Sequence, residues 1–219
     1  AVASVVSVST TAATAASDTA VTIALTTAVD DVTGTSANDT FNALAGTSTS
    51  AATDTLTASD IIDGGAGTDT LNITTTGVQT DVLSAALVSN IEIVNIRATT
   101  ATVSTLVAGN ITGLTEVNAV NSTGTVTVTG LASGATHNIL GNGSLVTGAL
   151  NSGWAAAATA SVTNVTGAVA TSGAITLSGT GLTSSTVNSL GTVANTVGAV
   201  AFAATTTGLT INSGPGLTT

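Results

Sequence analysis

The sequence predicts an all-β fold, an elongated parallel β-solenoid with irregular coils, and three observations favour it. Thr and Val are abundant in the 219 residues, and branching at Cβ suits extended backbone. The two Phe and the single Trp are too few for a thick core, whereas small aliphatic side chains stacked along an axis form a thin one. The only Pro, Pro215, interrupts almost no strand ladder. A β-sandwich of short strands is the alternative fold.

Strand-like alternation of apolar and polar residues recurs along the chain. It begins with residues 4–9 and 21–25, which are joined by a polar stretch. Later strand-like segments, separated by Gly-bearing turns, are residues 125–129, 174–177 and 209–211. Their spacing is irregular, so we expect coils of unequal length. Residues 80–87 instead show a helical spacing of apolar side chains.

A weak internal repeat supports the solenoid. Residues 88–96 align with residues 111–119, with apolar side chains at the first, fourth and seventh places and Asn at the eighth. The offset of 23 residues is about the length of one solenoid coil. We therefore expect the aliphatic side chains to stack inward, with Asn95 above Asn118 in a column at a corner of the coil.

Charge divides the sequence into two regions. The net charge is −10, and every Asp lies between Asp18 and Asp81. From residue 117 to the end there is no acidic residue, Lys or Arg. We predict an acidic region with Gly-Asp turns over residues 1–76 and a neutral solenoid region, rich in Thr, Val and Gly, over residues 77–219.

The composition argues against several classes of function. One Arg and no Lys cannot displace counterions from nucleic acid, and the absence of Cys excludes disulfide scaffolds and thiol enzymes. With a single His, no nucleophile–base pair is evident, so we expect no enzyme. The sequence contains no run of 18 consecutive apolar residues, so it predicts no transmembrane helix. The first residues do not form an intact signal peptide, so we expect a segment of a longer or processed protein.

The strongest motif is residues 64–72, which match the nonapeptide G-G-x-G-x-D-x-U-x at every specified place. Gly permits the positive φ angles of a tight turn, Asp69 supplies a carboxylate, and Leu71 begins a strand. A degraded copy, residues 34–42, lies 30 residues earlier and places Asp39 where Asp69 stands. Such hard oxygen ligands suit Ca²⁺.

Seven Asp lie between residues 30 and 69, with no Lys or Arg among them. Two carboxylates about 4 Å apart repel by about 1 kcal/mol in water and by about 4 kcal/mol at an effective dielectric of 20. We therefore expect these side chains either to surround Ca²⁺ or to spread into solvent, and the Gly-rich turns favour Ca²⁺. The alternative is an ordinary set of Gly-Asp turns on a solvated acidic face.

Residues 31–41 and 60–73 together resemble the calcium-binding repeats-in-toxin (RTX) proteins, and more narrowly the RTX-type surface-layer proteins of Gram-negative bacteria. The family's aliphatic-x-x-Ile-Glu-x-Val-Asn pattern is matched by residues 88–95. The specific motifs span about residues 29–96, and composition continues the resemblance over the rest. Two departures are the presence of one good nonapeptide rather than many and the absence of a recognisable C-terminal secretion segment.

The resemblance implies a Ca²⁺-dependent β-solenoid, exported by a type I system, that assembles with copies of itself into a lattice on the bacterial cell surface. Cell-surface polysaccharide is a further candidate partner. Carried over by position, the first candidate ligands are Asp39, Asp63 and Asp69. Further candidates are Asp31, Asp54, Asp60 and the carbonyl groups of Gly64, Gly65 and Gly67.

The chain has a single His, a single Trp and a single Arg. His137 is expected in an exposed turn or a subunit contact, Trp154 as a cap over the thin core or a subunit contact, and Arg97 as a surface charge or a partner for a carboxylate. An adhesin or ice-binding solenoid is the alternative function. Thr-x-Thr occurs at residues 47–49, 53–55, 125–127 and 127–129, but at no fixed coil spacing.

Overall fold

The computed structural model describes residues 18–46, 53–78, 86–100, 102–141, 148–167, 173–214 and 216–218. Short strands follow one another through these residues, with one 3-10 turn at Ala108–Asn110. The strands are β1 Thr22–Ala24, β2 Asp31–Thr33, β3 Thr40–Ala45, β4 Ile61–Asp63, β5 Thr70–Thr75, β6 Leu87–Ser89, β7 Ile93–Ala98, β8 Val103–Val107, β9 Glu116–Val120, β10 Thr125–Leu131, β11 Thr136–Leu140, β12 Leu150–Trp154, β13 Ala160–Thr166, β14 Ile175–Ser178, β15 Ser184–Leu190, β16 Asn195–Thr196, β17 Val200–Ala201, β18 Gly208–Ser213 and β19 Leu217–Thr218.

The strands form parallel sheets that wind as a β-solenoid, which confirms the predicted fold. The main sheet has nine strands in the order β1-β3-β5-β7-β9-β11-β13-β15-β18. A second sheet, β17-β14-β12-β10-β8, lies on another side of the coil, and smaller sheets are β2-β4-β6 and β16-β19. The parallel pairing from strand to strand rules out the β-sandwich alternative, whose strands would pair antiparallel.

The coils differ in length, as predicted. Successive paired residues of the main sheet are separated by 18 residues between β1 and β3 and by 30 between β3 and β5. The separation is 23 over the next two steps, then 20, 26, 24 and 24. The paired strands remain in register although the number of residues between them varies.

A thin aliphatic core fills the coil. Inward side chains alternate with outward ones along each strand, as in β5, where Leu71, Ile73 and Thr75 are buried. Phe41 stacks beside Leu71, and Leu71 beside Val94, in successive strands of the main sheet. All three are fully buried. Each strand therefore covers the inward side chains of the strand before it.

A column of Asn side chains runs along the outward side of the main sheet, and we call it the Asn column. Each Asn after the first donates from Nδ2 to Oδ1 of the Asn on the preceding strand of the main sheet, at 2.7–3.0 Å. Its members are Asn42, Asn72, Asn95, Asn118, Asn138, Asn164, Asn188 and Asn212. These bonds reinforce the main-chain ladder at the same point of every coil from β3 to β18.

The predicted repeat is confirmed, with one correction. Val88 forms a bridge to Ile111 and Val94 pairs with Val117, which reproduces the offset of 23 residues. Asn95 and Asn118 stack as expected, but in the middle of β7 and β9 rather than at a corner. The sequence placed them at a corner because Asn is common in turns. In this chain, side-chain hydrogen bonds between coils outweigh that preference.

Other predictions about elements are confirmed where the structure describes them. Strands occupy most of residues 21–25, 125–129, 174–177 and 209–211. Residues 4–9 lie outside the described residues. The helix predicted over residues 80–87 also lies largely outside them, and Leu87 begins strand β6. The main sheet continues across residue 76, since β5 pairs with β7, so the two regions differ in charge but share one sheet.

We expect replacement of Asn118 by Ala to destabilise the fold by about 2 kcal/mol. Asn118 donates to Asn95 at 2.9 Å and accepts from Asn138 at 2.9 Å, so its loss leaves polar atoms unpaired on both sides. Urea unfolding measures the change. The control is Asn212→Ala, since the exposed Asn212 has a single such bond. Equal losses in the two variants would contradict a cooperative role for the column.

Candidate functional site

Three acidic residues stand one above another where strands of the main sheet begin, and we call Asp39, Asp69 and Glu92 the acidic column. Each precedes the first residue of its strand. Glu92 Oε2 accepts from the Asp69 amide at 2.8 Å, and Asp69 Oδ1 accepts from the Asp39 amide at 2.7 Å. Asp39 Oδ1 in turn accepts from the Val21 amide at 2.7 Å. Each carboxylate thus accepts a hydrogen bond from a main-chain amide of the preceding coil.

Asp30 and Asp60 form a second stack, at the start of β2 and β4 in the sheet β2-β4-β6. Asp60 Oδ1 accepts from the Asp30 amide at 3.0 Å, again one coil earlier. Each carboxylate also closes its own turn: the Thr26 amide donates to Asp30 Oδ2 at 2.7 Å, and the Thr57 amide donates to Asp60 Oδ2 at 2.6 Å. The hydroxyl groups of both Thr donate to the same carboxylates. Asp39 is bound by Thr35 in the same way.

These contacts explain how buried acids coexist without basic residues. Asp30, Asp39, Asp60 and Asp69 are all buried. Amide and hydroxyl donors converge on their carboxylates, and such charge-assisted hydrogen bonds are about twice as strong as neutral ones. The sequence interpretation considered only cations or solvent as partners for these charges. The main chain of the neighbouring coil is a third partner. Its amides donate to the carboxylates of both the acidic column and the Asp30–Asp60 stack.

The structure distributes the predicted ligands over several places. Asp39 and Asp69 share the acidic column, Asp60 lies in the second stack, and Asp31 is exposed at the start of β2. Asp54 lies in a separate turn and accepts from the Gly46 amide at 2.6 Å. Asp63 is half-buried and accepts from the Gly65 amide at 3.1 Å and from Asn90 Nδ2 at 2.7 Å.

Two residues of the acidic stacks, Asp30 and Glu92, were absent from the predicted ligand set. A signal for both stacks was present in the sequence. Thr precedes Asp by three or four residues at Thr26, Thr35 and Thr57, a spacing that suits side-chain closure of a turn. Glu92 lies 23 residues after Asp69, the same offset as the internal repeat.

The Gly-rich turn of the nonapeptide has the backbone conformation that its sequence predicts. Gly65 and Gly67 have φ angles of +93° and +127°, which favour Gly. A Cβ atom on Gly64 would overlap the carbonyl oxygen of Asn90 in the next coil and would lie 2.7 Å from Asp69 Oδ2. Gly64 is therefore required by close approach between coils, and the two oxygen atoms both lie beside it.

Asp69 carries an oxygen atom without a hydrogen-bond partner. Oδ2 is buried and unpartnered among the described residues. Burial raises the pKa of the Asp69 carboxyl above its ordinary 3.8, the Asp39 amide opposes this shift, and the charges of Asp39, Glu92 and Asp63 add to it. A proton on Oδ2 or a bound cation would relieve the same deficit, with the Asn90 carbonyl oxygen as the second polar group at the site.

The fit of a cation is therefore partial. In the part of the chain that the structure describes, no three or more His, Cys, Asp or Glu side chains are grouped so as to hold one metal ion. A cation beside Asp69 would need main-chain carbonyl oxygens, such as that of Asn90, to complete its shell. Ca²⁺ accepts carboxylate, carbonyl and water oxygens in flexible numbers.

His137 and Trp154 are both buried. His137 is not in an exposed turn: it lies in β11, is fully buried, and its Nδ1 is 2.8 Å from Ser152 Oγ. Alternation in β11 turns its side chain inward, which its polar neighbours in the sequence did not suggest. Trp154 is buried in the core, and its Nε1 donates to the Ala135 carbonyl at 3.2 Å. Arg97 is exposed on β7.

We expect Asp39→Ala to destabilise the fold by about 3 kcal/mol, because the amides of Val21 and Thr35 lose a charged acceptor. Asp39→Asn keeps one acceptor oxygen and should cost less. Chemical unfolding measures both variants. Asp31→Ala is the matched control because Asp31 is exposed, and a loss as large as that of Asp39→Ala would contradict a structural role for the acidic column.

We expect the fold to lose stability as the pH falls from 6.5 towards 3. Burial lowers the pKa of His137 from 6.5 to about 3, so the unfolded chain binds a proton in this range while the folded chain does not. The full difference corresponds to about 5 kcal/mol. The raised pKa of Asp69 acts in the opposite direction, because folding then favours its protonated form.

The unfolding free energy of His137→Leu, measured against pH, tests this dependence. In the parent chain the free energy of unfolding should fall between pH 6.5 and 3. The variant should not show this decrease, whatever its stability at neutral pH. Asp31→Asn, at an exposed position, serves as the control and should keep the fall. Identical slopes for the parent chain and His137→Leu would contradict the assignment.

No protein-family model matches the chain, and no curated protein sequence matches it significantly. Among the described residues, no helix has the length and apolar character needed to cross a membrane.

Proposed function

We propose that this chain is a structural subunit of an extracellular bacterial assembly, a surface lattice or a filament, built from copies of itself. One observation carries the proposal: the described residues wind almost entirely into one parallel stack, with side-chain columns continuing through it. Continuous main-chain and Asn hydrogen bonding from coil to coil makes such a stack stiff along its axis. Stiffness along one axis suits a load-bearing role better than the movements of a catalytic site.

The charge distribution supports association between copies. From residue 117 onwards the chain has no acidic residue, Lys or Arg, so nearby copies would not repel one another there. Thr, Ser and Asn side chains on the outward faces offer many neutral hydrogen bonds. Secretion to the cell surface and contact with surface polysaccharide belong to the same proposal, and they rest on the resemblance to RTX-type surface-layer proteins.

Calcium binding is the second part of the proposal. Asp69 Oδ2 is buried without a partner among the described residues, it lies close to the Asn90 carbonyl oxygen beside Gly64, and the Asp63 carboxylate is near enough to affect its pKa. A bound Ca²⁺ would supply charge neutralisation and join two successive coils. Asp63 and Asp69 are thus the first ligands we propose. Asp39 and Asp60 contribute through the negative potential of their stacks.

We expect Ca²⁺ to raise the melting temperature. At a free concentration 100 times the dissociation constant, the gain is about 2.7 kcal/mol, or about 5–10 °C for a chain of this size. Asp69→Asn should abolish the increase, whereas Asp31→Asn should retain it. Calorimetry with Ca²⁺ and with EGTA measures the difference. An equal response of both variants would contradict the Asp69 site.

Electron microscopy tests the assembly itself. We expect ordered sheets or filaments in Ca²⁺ and their dispersal after chelation with EGTA. Assemblies that persist in EGTA would separate the structural function from calcium. A monomer at all protein concentrations, with or without Ca²⁺, would contradict the structural function.

An ice-binding or adhesive solenoid remains the second candidate because of one Thr column. Thr105, Thr127 and Thr176 lie in register on the outward face of the second sheet. Asn151 occupies the place between Thr127 and Thr176, so the column is not a continuous Thr array. Thermal hysteresis by a soluble monomer would favour this candidate over the assembly.

A further inference from the structure

His137 and Thr163 are two polar side chains enclosed in the core of the solenoid. His137 lies on β11 and Thr163 on β13, and both are fully buried. The pairing of Thr136 with Val162 and of Ile139 with Val165 places His137 opposite Thr163. Both occupy inward positions of their strands, so their side chains enter the core next to each other.

Each of the two side chains has an atom without a hydrogen-bond partner among the described residues. These atoms are His137 Nε2 and Thr163 Oγ1. On its other side His137 pairs with Val117, and Thr163 pairs with Val187. Each is therefore the other's only polar neighbour along this row of the sheet. A buried polar atom left unpaired destabilises a fold, so two adjacent ones point to a shared partner.

The sheet itself is irregular at this point. Pairing between β11 and β13 holds at Thr136–Val162 and resumes at Ile139–Val165. Between these pairs, the Asn164 amide donates to the side-chain Oδ1 of Asn138 at 3.1 Å. A side chain thus intervenes in the main-chain ladder beside His137 and Thr163. The two strands are least regular where their unpartnered polar atoms lie.

We propose that His137 Nε2 and Thr163 Oγ1 bind one internal water molecule between them. The partner must be small, because both side chains are fully buried, and it must be uncharged. Glu116 is the only charged residue in the neighbouring strands β9, β10, β12 and β13. It lies on the outward face and accepts from Asn118 at 2.8 Å. No carboxylate or basic group therefore faces the interior here to balance an ion.

Water also fits the hydrogen-bonding chemistry of both atoms. Ser152 binds Nδ1 of His137, and the tautomer decides whether Nε2 donates or accepts. A water molecule serves either tautomer, and it can accept from or donate to the Thr163 hydroxyl. Internal waters typically bind two to four polar groups, and these two atoms provide the minimum. The water completes the polar group formed by Ser152, His137 and Thr163.

The variant Thr163→Val tests the proposal through the direction of its effect. Val keeps the shape of Thr and removes the hydroxyl group. If Thr163 binds a water shared with His137, its loss should raise the unfolding equilibrium constant about fivefold or more. The control is Thr206→Val, because Thr206 Oγ1 is also buried without a partner but has no such neighbour. That variant should be neutral or more stable.

A second measurement detects the water directly. In the labelled protein, NMR cross-relaxation between His137 ring protons and a long-lived water should appear in the parent chain and disappear in Thr163→Val. Thr206→Val should keep the signal. Stabilisation by Thr163→Val, as expected for removal of an unpaired hydroxyl, would overturn the proposal, and so would the absence of the water signal in the parent chain.

Discussion

Each strand of this solenoid forms its main-chain ladder with the coil before it and the coil after it, and the other features follow from that restriction. In a globular sheet protein, a buried polar group can find its hydrogen-bond partner on a segment that is distant in the sequence. In a stack, any polar group must find its partner on its own coil or on an adjacent one. The Asn column, the acidic column and the contact between His137 and Ser152 are three solutions to this requirement, on the outside, at the turns and in the core.

The acidic residues show how far the restriction reaches. Asp39 and Asp69 are buried in a chain with one basic residue, which by composition alone predicts strong repulsion. Amide donors from the preceding coil balance part of that charge. The unpartnered Oδ2 of Asp69 marks the place where this balance is incomplete. Whatever binds there, a proton or a cation, therefore acts on a single oxygen atom within an otherwise satisfied column.

The fold was predictable because composition and spacing both constrain it. The offsets of 23 and 30 residues were visible in the sequence, and they are the offsets at which Asn72, Asn95 and Asn118 stack. The role of the Asp residues was less accessible, because a carboxylate that closes a turn and one that binds an ion need the same residue types. His137 was misplaced because a lone polar residue in a polar neighbourhood does not indicate which side of a strand it occupies.

The Asn column gives the stack an electrical direction. From Asn72 to Asn212, every amide group in it donates towards the preceding coil, so the side-chain dipoles add instead of cancelling. The positive ends of these dipoles point towards the coils that carry the Asp residues, and the carbonyl ends point towards the uncharged coils. Dipole and charge are therefore aligned favourably within one molecule. Two such rods lying side by side attract each other most when their axes run in opposite directions.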